Sequence, residues 1–396
     1  MMSSLVNPSI IISKVKDLCQ RLEYFGIKVG DTRKRPQISP VTIFRSCLLI
    51  PILRLKSLNQ LDNCLRLPEM RRFIGSKRNM VVSDSTMERS LKGFTIESLR
   101  MILKVVVRLA RARGYHKVIL SSGRELVVGI VDGSTIGKKL CSVFYEIGKV
   151  NLMVDIERIK KKGKELEASW KLMERNIHGV DIVLGDGLYY VKKKINWVRR
   201  QGKHILIKRK KKNLEVIQDA EELFRHYEDF KDEVEYYEGT QVMDDGKKFS
   251  YQVWAAGGFT TNGVDCPLKV AKVEMVNLIN KAEETYYLIT TWSELTGLEM
   301  KEIGQLRWRI ENNGFKKGNE QFALKHAFIN DEHGWEAMTL ILFIGFNLFE
   351  LIKTQLIEEG LIRAIRRVTY KCISQLIQRA MTIVYGTDPV LFPDSS

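Results

Sequence analysis

The spacing of apolar residues changes near residue 115, where a helical pattern gives way to a mixed one. Within residues 1–115, apolar side chains recur every three or four positions, as on the buried face of a helix, in segments near 8–25, 40–56 and 95–112. Ser85-Thr86-Met87-Glu88 has the spacing of a capping box and predicts a short helix that ends near Gly93. Residues 27–40 contain two prolines and Gly30, and we expect a loop there.

Short apolar runs separated by helical stretches follow from about Arg124. Strands are predicted at 126–131, twice within 141–159, at 180–184 and at 204–208. Helices are predicted at 165–175 and 195–201. Because strands alternate with helices, we expect an α/β fold in which helices cover the faces of a sheet.

A second change of pattern falls at about residue 213. Residues 213–290 begin with an acidic stretch and then alternate in polarity, which predicts an antiparallel β insertion with strands at 249–254, 268–276 and 285–291. Gly257-Gly258 and Asn262-Gly263 are turn signals. Helices are predicted again at 298–317 and 335–357. The pattern therefore divides the chain into an N-terminal helical domain (1–115), a core in two parts (124–212 and 291–384) and a β-rich insertion (213–290).

A strong excess of positive charge narrows the possible partners. The 396 residues include 64 Lys and Arg against 47 Asp and Glu, which gives a net charge of +17. Such an excess attracts polyanions; nucleic acid is the commonest, and an anionic membrane surface is the alternative.

The most apolar segment, 338–349, is shorter than the roughly 20 residues that a membrane helix needs, so we expect a buried helix and no membrane partner. The cysteines form no CxxC pair and the first residues lack a signal-peptide pattern, which favours a reducing cytoplasm.

Three acidic residues stand in settings that favour a shared site. Asp132 and Asp186 each follow an apolar run, and Glu311 lies in a stretch with helical spacing. Each residue alone has a simpler explanation, as a turn former, a helix cap or a solvated surface charge. Together they offer the hard oxygen ligands that Mg²⁺ prefers, and two such ions about 3.5–4 Å apart can drive phosphodiester transfer.

A dense basic run follows Asp186 closely. Residues 192–212 contain eleven Lys and Arg. We expect phosphate contacts from this run, which is otherwise explained as a solvated basic face. Within it, the residues that we expect to contact DNA are Lys192, Lys193, Lys194, Lys208, Arg209 and Lys210.

The motifs around these acids resemble those of a known family. Val131-Asp132-Gly133-Ser134 and Gly185-Asp186-Gly187-Leu188-Tyr189, with Arg307 one helical turn before Glu311, resemble the DDE transposases of bacterial insertion sequences. The similarity is to the group with a β-strand insertion before the catalytic Glu, and it covers about residues 75–350.

That group has a signature of Tyr, two residues, Arg, three residues, Glu, six residues and Lys. Arg307 and Glu311 match its centre, whereas Gly304 stands at the Tyr position and Gly318 at the Lys position. Lys317 lies one residue before the Lys position.

The resemblance implies a fold, a reaction and a set of ligands. The fold would be a ribonuclease-H-like mixed sheet flanked by helices, with an inserted antiparallel β subdomain and an N-terminal helical domain for DNA binding or dimerisation. Asp132, Asp186 and Glu311 would be catalytic and would hold two Mg²⁺ ions, with Mn²⁺ as an alternative. Arg307 and Lys317 would contact DNA.

The implied reaction is strand cleavage at the ends of the element, followed by strand transfer into target DNA. The implied partners are double-stranded element ends and target DNA, bound by a homodimer. The implied location is the prokaryotic cytoplasm, in association with the nucleoid.

Two other functions remain open from the sequence. The first is a catalytically inactive, transposase-derived DNA-binding protein, which would keep the basic surface and lose metal binding. The second is a relative of the sugar kinases and actin-like ATPases, because Asp132-Gly133-Ser134-Thr135 has a distant similarity to their phosphate loop. That loop normally reads Asp-x-Gly-Thr, so the glycine here is displaced.

Overall fold

The computed structural model describes Ser13 and residues 29–76, 82–161, 163–243, 246–309, 317–359 and 370–386. The N-terminal part is helical, as predicted, and the expected helix at 8–25 lies outside these residues except for Ser13. Its described helices are α1 (Pro40–Leu53), α2 (Leu58–Leu65), α3 (Pro68–Ile74), α4 (Asp84–Leu91) and α5 (Ile96–Ala112).

The predicted capping residue of α4 is wrong. Ser83, and not Ser85, caps the helix, because its hydroxyl accepts the Thr86 N–H three residues later. A side-chain oxygen at this position satisfies one of the N–H groups that the first helical turn leaves without a partner.

A nine-stranded mixed sheet forms the centre of the molecule, with strand order β5-β4-β3-β6-β7-β11-β10-β9-β8. The first part along the chain contains β3 (Val128–Ile136), β4 (Lys139–Ile147), β5 (Leu152–Arg158), β6 (Ile182–Asp186) and β7 (His204–Arg209). A separate two-stranded ribbon contains β1 (Val118–Ile119) and β2 (Glu125–Leu126). The mixed α/β sheet expected from the sequence is therefore confirmed.

Strands β3, β6 and β7 are parallel, whereas β4 pairs antiparallel with β3 and β5 pairs antiparallel with β4. The parallel strands are joined by the helices α6 (Glu165–Asn176) and α7 (Lys192–Arg200). The run from Val128 to Val131 is buried throughout, as expected of a strand that is covered on both faces.

The antiparallel strands of the insertion continue this same sheet. They are β8 (Glu235–Val242), β9 (Lys248–Phe259), β10 (Leu268–Asn277) and β11 (Glu283–Thr290). β11 pairs with β7, so the insertion is joined edge to edge with the core.

Two local expectations for residues 213–290 need correction. The acidic stretch contains a helix, α8 (Glu215–Arg225), whose buried Val216, Ile217 and Phe224 pack against the sheet. Gly257-Gly258 does not form a turn, because both glycines lie within β9, where the register with β10 shifts and Gly258 has φ +87. A positive φ suits glycine at such an irregularity.

The C-terminal helices complete one continuous core. They are α9 (Gly297–Arg309), α10 (Lys317–Phe322), α11 (Glu332–Glu358) and α12 (Tyr370–Gly386). α11 is long and apolar enough to cross a membrane by composition alone, but 89% of its apolar window is buried within the fold. It packs against α1, α5 and β5, so the N-terminal helices share one apolar core with the sheet.

Candidate active site

The register of the parallel strands brings two of the predicted acids side by side. Val128 pairs with Ile182 and Ile130 with Leu184, and continuing this register by two residues places Asp132 opposite Asp186. Asp186 ends β6, as expected. Asp132 is not at the end of a strand: β3 runs on to Ile136, held by its antiparallel pairing with β4.

The guanidinium of Arg307 lies between the two carboxylates. Its Nη2 is 3.5 Å from Oδ1 of Asp132 and 3.6 Å from Oδ2 of Asp186. Arg307 comes from α9, which packs across β6 and β7. All three side chains are partly buried, with 21% of Arg307, 14% of Asp132 and 33% of Asp186 exposed. Opposite charges at this separation and burial attract more strongly than they would in water.

The two carboxylate oxygens of Asp186 make different contacts. Its Oδ1 accepts the N–H of Leu188 at 2.8 Å and so caps the 3₁₀ turn Gly187–Tyr189. Its Oδ2 is the atom that faces Arg307. The turn-forming explanation is therefore correct for one oxygen, while the other is directed into the site.

Glu165 is a further acid at this site that the sequence analysis missed. It is the first residue of α6, and its carboxylate lies against Gly133: a Cβ added there would be 2.7 Å from both Cδ and Oε1 of Glu165. Burial raises the pKa of Glu165, and the negative charge of Asp186 raises it further. Tyr189, Arg307 and the Gly133 N–H lower this pKa, but the net shift is upward.

Tyr189 joins this group from the turn after Asp186. Its ring folds back over Gly185, where an added Cβ would lie 2.9 Å from the Tyr189 Cγ, so only glycine permits the contact. Its hydroxyl is 2.8 Å from Oγ of Ser169, which in turn is 2.7 Å from Oγ of Ser142. Burial raises the pKa of Tyr189 above its ordinary value.

Packing explains the two glycines at the signature positions. A Cβ at Gly304 would lie 2.8 Å from Cδ2 of Leu288, and one at Gly318 would lie 2.4 Å from Cδ1 of Leu324. A larger side chain at either position would displace its neighbour. Lys317 begins α10. Its side chain and the whole of Glu311 lie outside the described residues, so the place of Glu311 in the site stays a prediction.

The basic residues of α7 differ in their surroundings. Lys192 and Lys193 are exposed, and the Nζ of Lys192 donates to the Asn262 carbonyl. The Nζ of Lys194 donates to the Leu166 carbonyl at 2.8 Å and lies 4.9 Å from the ring centroid of Trp170. The α7 N-terminus is thereby fixed beside the start of α6.

The basic residues of β7 lie next to Asp186. Lys208 is its register partner and is buried, with its Nζ 3.8 Å from the ring centroid of Tyr286. Arg209 donates to the Gly187 carbonyl at 3.2 Å, and the exposed Lys210 pairs with Glu284 at 2.9 Å. The DNA-contact role of these residues stays a prediction, and Lys208 is the least accessible of them.

The donor chemistry fits a divalent cation in part. Asp132 and Asp186 both direct a carboxylate oxygen at the Arg307 guanidinium, and oxygens of this kind are suitable ligands for Mg²⁺. Within the described ranges, no three His, Cys, Asp or Glu side chains are grouped closely enough to hold a metal ion. A third ligand would have to come from outside those ranges, as Glu311 would.

The phosphate-loop alternative loses its structural basis. Residues 132–135 lie within β3 and not in a loop. Their backbone groups pair with β4 from Asp132 to Thr135 and do not form a cradle for phosphates.

Comparison with known proteins gives one match. The family model described as the transposase DDE domain matches residues 128–348. This range begins at β3, includes Asp132, Asp186 and Arg307, and ends within α11. A search of curated proteins found no match to the chain.

Proposed function

Because the chain belongs to the DDE transposase family, with the ribonuclease-H-like mixed sheet of that family, we propose that it cleaves DNA strands at the ends of an insertion sequence and joins them to target DNA. The observation that supports this most directly is the convergence of Asp132, Asp186 and Arg307, which the chain places on three different elements. Water would hydrolyse the phosphodiester and free a 3′-hydroxyl. That hydroxyl would then attack a target phosphodiester and release a new 3′ end.

Divalent metal ions are generally used by the family. We propose that Asp132, Asp186 and Glu311 hold two Mg²⁺ ions, for which Mn²⁺ can substitute. Ions in this setting stabilise the charge that develops on the phosphate and lower the pKa of a bound water or hydroxyl. The protein itself would supply Arg307, whose charge lies beside both carboxylates and would contact a DNA phosphate once metal ions neutralise them.

The remaining assignments concern the partners and the organisation of the chain. We propose that two chains act together on the two element ends and that the basic residues contact double-stranded DNA, namely Lys192, Lys193, Lys194, Lys208, Arg209, Lys210 and Lys317. The location would be the prokaryotic cytoplasm, at the nucleoid. The helical domain (1–115), the two core parts (124–212 and 291–384) and the insertion (213–290) would be the functional divisions.

A second candidate is a transposase-derived protein that binds DNA without cutting it. The observation that favours it is the pair of glycines at the signature positions, because Gly304 and Gly318 are packed too closely for Tyr and Lys side chains. The two candidates differ in whether the acids bind metal and cut DNA.

The test uses the full chain and a supercoiled plasmid that carries the DNA flanking its gene. With Mg²⁺, we expect nicking by the wild type and loss of about 10²-fold or more in Asp132→Asn, Asp186→Asn and Glu311→Gln, with DNA binding retained in fluorescence anisotropy. Asp265→Asn, an exposed acid paired with Arg200, is the matched control. A wild type that binds this DNA and does not nick it would support the second candidate.

A further inference from the structure

The pairing between β3 and β6 stops two residues short of the two aspartates, although Asp132 pairs with β4 and Asp186 with β7. β3 and β6 are paired as far as Ile130 and Leu184, and no described ladder pair joins them beyond these residues. β3 continues with β4, while β6 ends in the 3₁₀ turn Gly187–Tyr189. The described residues show no ladder pair between Asp132 and Asp186 themselves. Side-chain contacts, such as that of Arg307, therefore help to set their spacing.

Glu165 stands where such a contact is needed. On one side its carboxylate is against Gly133, the residue that follows Asp132. On the other side it is one helical turn from Ser169, whose Oγ is 2.8 Å from the hydroxyl of Tyr189, three residues after Asp186, and Tyr189 lowers the pKa of Glu165. The Gly133 N–H and the Tyr189 O–H are both donors, and a carboxylate can accept both at once.

Glu165 is itself well anchored. It begins α6, which packs across β3, β4 and β5. Ser169, one turn further along α6, contacts the same Tyr189 hydroxyl and connects it with Ser142 of β4. The first two turns of α6 therefore contact both Gly133, next to Asp132, and Tyr189, in the turn after Asp186.

We infer that Glu165 is a positioning residue that links the Asp132 strand to the turn after Asp186 and thereby sets the spacing of the two carboxylates. The inference rests on the proposed function for its effect on cleavage, but its effect on metal binding does not depend on any DNA substrate. The Gly133 position is part of the arrangement, because a Cβ there would occupy the place of the Glu165 carboxylate.

Glu165 acts through the two aspartates, and its loss is expected to weaken metal binding and not to abolish it. Outer contacts that orient metal ligands are worth about 10–100-fold in affinity or activity. Glu165→Gln keeps a carbonyl oxygen as acceptor at the same distance from the helix, whereas Glu165→Ala keeps none. The two variants thus separate the hydrogen-bonding role from the charge.

The experiment measures Mn²⁺ binding to the DNA-free full chain by electron paramagnetic resonance. We expect Glu165→Ala to weaken binding about 10-fold or more and Glu165→Gln to stay within about 3-fold of wild type. Glu167→Ala, an exposed acid on the same helix turn, is the matched control and should bind as wild type does. Equal losses in Glu165→Ala and Glu165→Gln, or no loss in either, would overturn the inference.

Tyr189→Phe provides a second test that leaves the sequence of α6 unchanged, although it also removes the contact with Ser169. Removal of the hydroxyl takes away one of the two donors, so Mn²⁺ affinity should fall several-fold while the helical circular dichroism stays unchanged. An unchanged Mn²⁺ affinity would overturn the inference, even if Glu165→Ala failed to fold. If the wild type binds Mn²⁺ as expected but does not nick DNA, the proposed function fails and the role of Glu165 stands.

Discussion

The guanidinium between two acids gives the most direct test of the site. Replacing Arg307 with Ala removes the positive charge that lies 3.5 Å from Asp132 and 3.6 Å from Asp186. The two carboxylates would then face each other across a partly buried space. In the metal-free protein this change should therefore lower the free energy of unfolding.

The magnitude follows from distance and burial. At an effective dielectric constant of about 20, a pair of unit charges near this separation attracts by roughly 4–5 kcal/mol. Desolvation of the charged groups offsets part of this attraction, and removal of one partner of a buried pair typically costs about 3–5 kcal/mol. Because Asp186 is about one-third exposed, we expect a smaller loss of about 2–3 kcal/mol.

The assay is urea unfolding of the DNA-free chain, first with EDTA and then with Mn²⁺. Arg307→Ala should lose stability in EDTA and regain it in Mn²⁺, because the cation then faces the two carboxylates without a competing positive charge. A ligand at about 100 times its Kd stabilises the folded state by about 2.7 kcal/mol. We expect Mn²⁺ to stabilise the variant more than the wild type.

Arg108→Ala, an exposed arginine on α5, is the matched control and should leave both stabilities unchanged. If Arg307→Ala is as stable as the wild type in EDTA, the guanidinium is not a counter-charge for the aspartates. If Mn²⁺ stabilises the variant less than the wild type, the competition argument is wrong.

Three further predictions concern other parts of the molecule. Lys193→Gln should reduce the slope of log K against log salt for DNA binding by about one, as measured by anisotropy, and an unchanged slope would remove Lys193 from the interface. Gly304→Ala should lower stability by about 1–3 kcal/mol through contact with Leu288, although alanine favours helices; an unchanged or higher melting temperature would contradict this. Burial lowers the pKa of Lys301 from 10.5 to about 8, so the folded state binds fewer protons than the unfolded state between these values. As the pH rises from 8 to 10.5, the free energy of unfolding of the wild type, measured with urea, should therefore increase by up to about 3 kcal/mol relative to that of Lys301→Met. Parallel pH profiles of the two proteins would contradict this prediction.

The sequence predicted the parts of the site that follow from strand pattern. Asp132 and Asp186 each end a run of apolar residues, and a buried parallel strand leaves few other places for an acid. The extension of β3 beyond Asp132 was missed because residues 133–135 are polar or glycine. Only the antiparallel pairing with β4 makes them a strand.

Other features depend on tertiary contacts that no local pattern reports. An acid at the first position of a helix is common, because it complements the helix dipole, so Glu165 gave no signal of its own. Its importance comes from Gly133 and Tyr189, which are distant from it in sequence. The α8 helix was hidden by its acidic face, although Val216 and Phe224 have helical spacing.

The connection of β11 to β7 has a mechanical consequence. Five strands in hydrogen-bonded series, from β8 through β9, β10, β11 and β7, lead directly to β6, which carries Asp186. Ladder pairs join each neighbouring pair of these described strands, so we expect the outer hairpins to move together with β6 and not as a separate arm. A partner that binds at β8, the far edge of the sheet, would therefore change the twist of the whole sheet. We expect this change to reach the carboxylates as a small rotation of the strands that hold them.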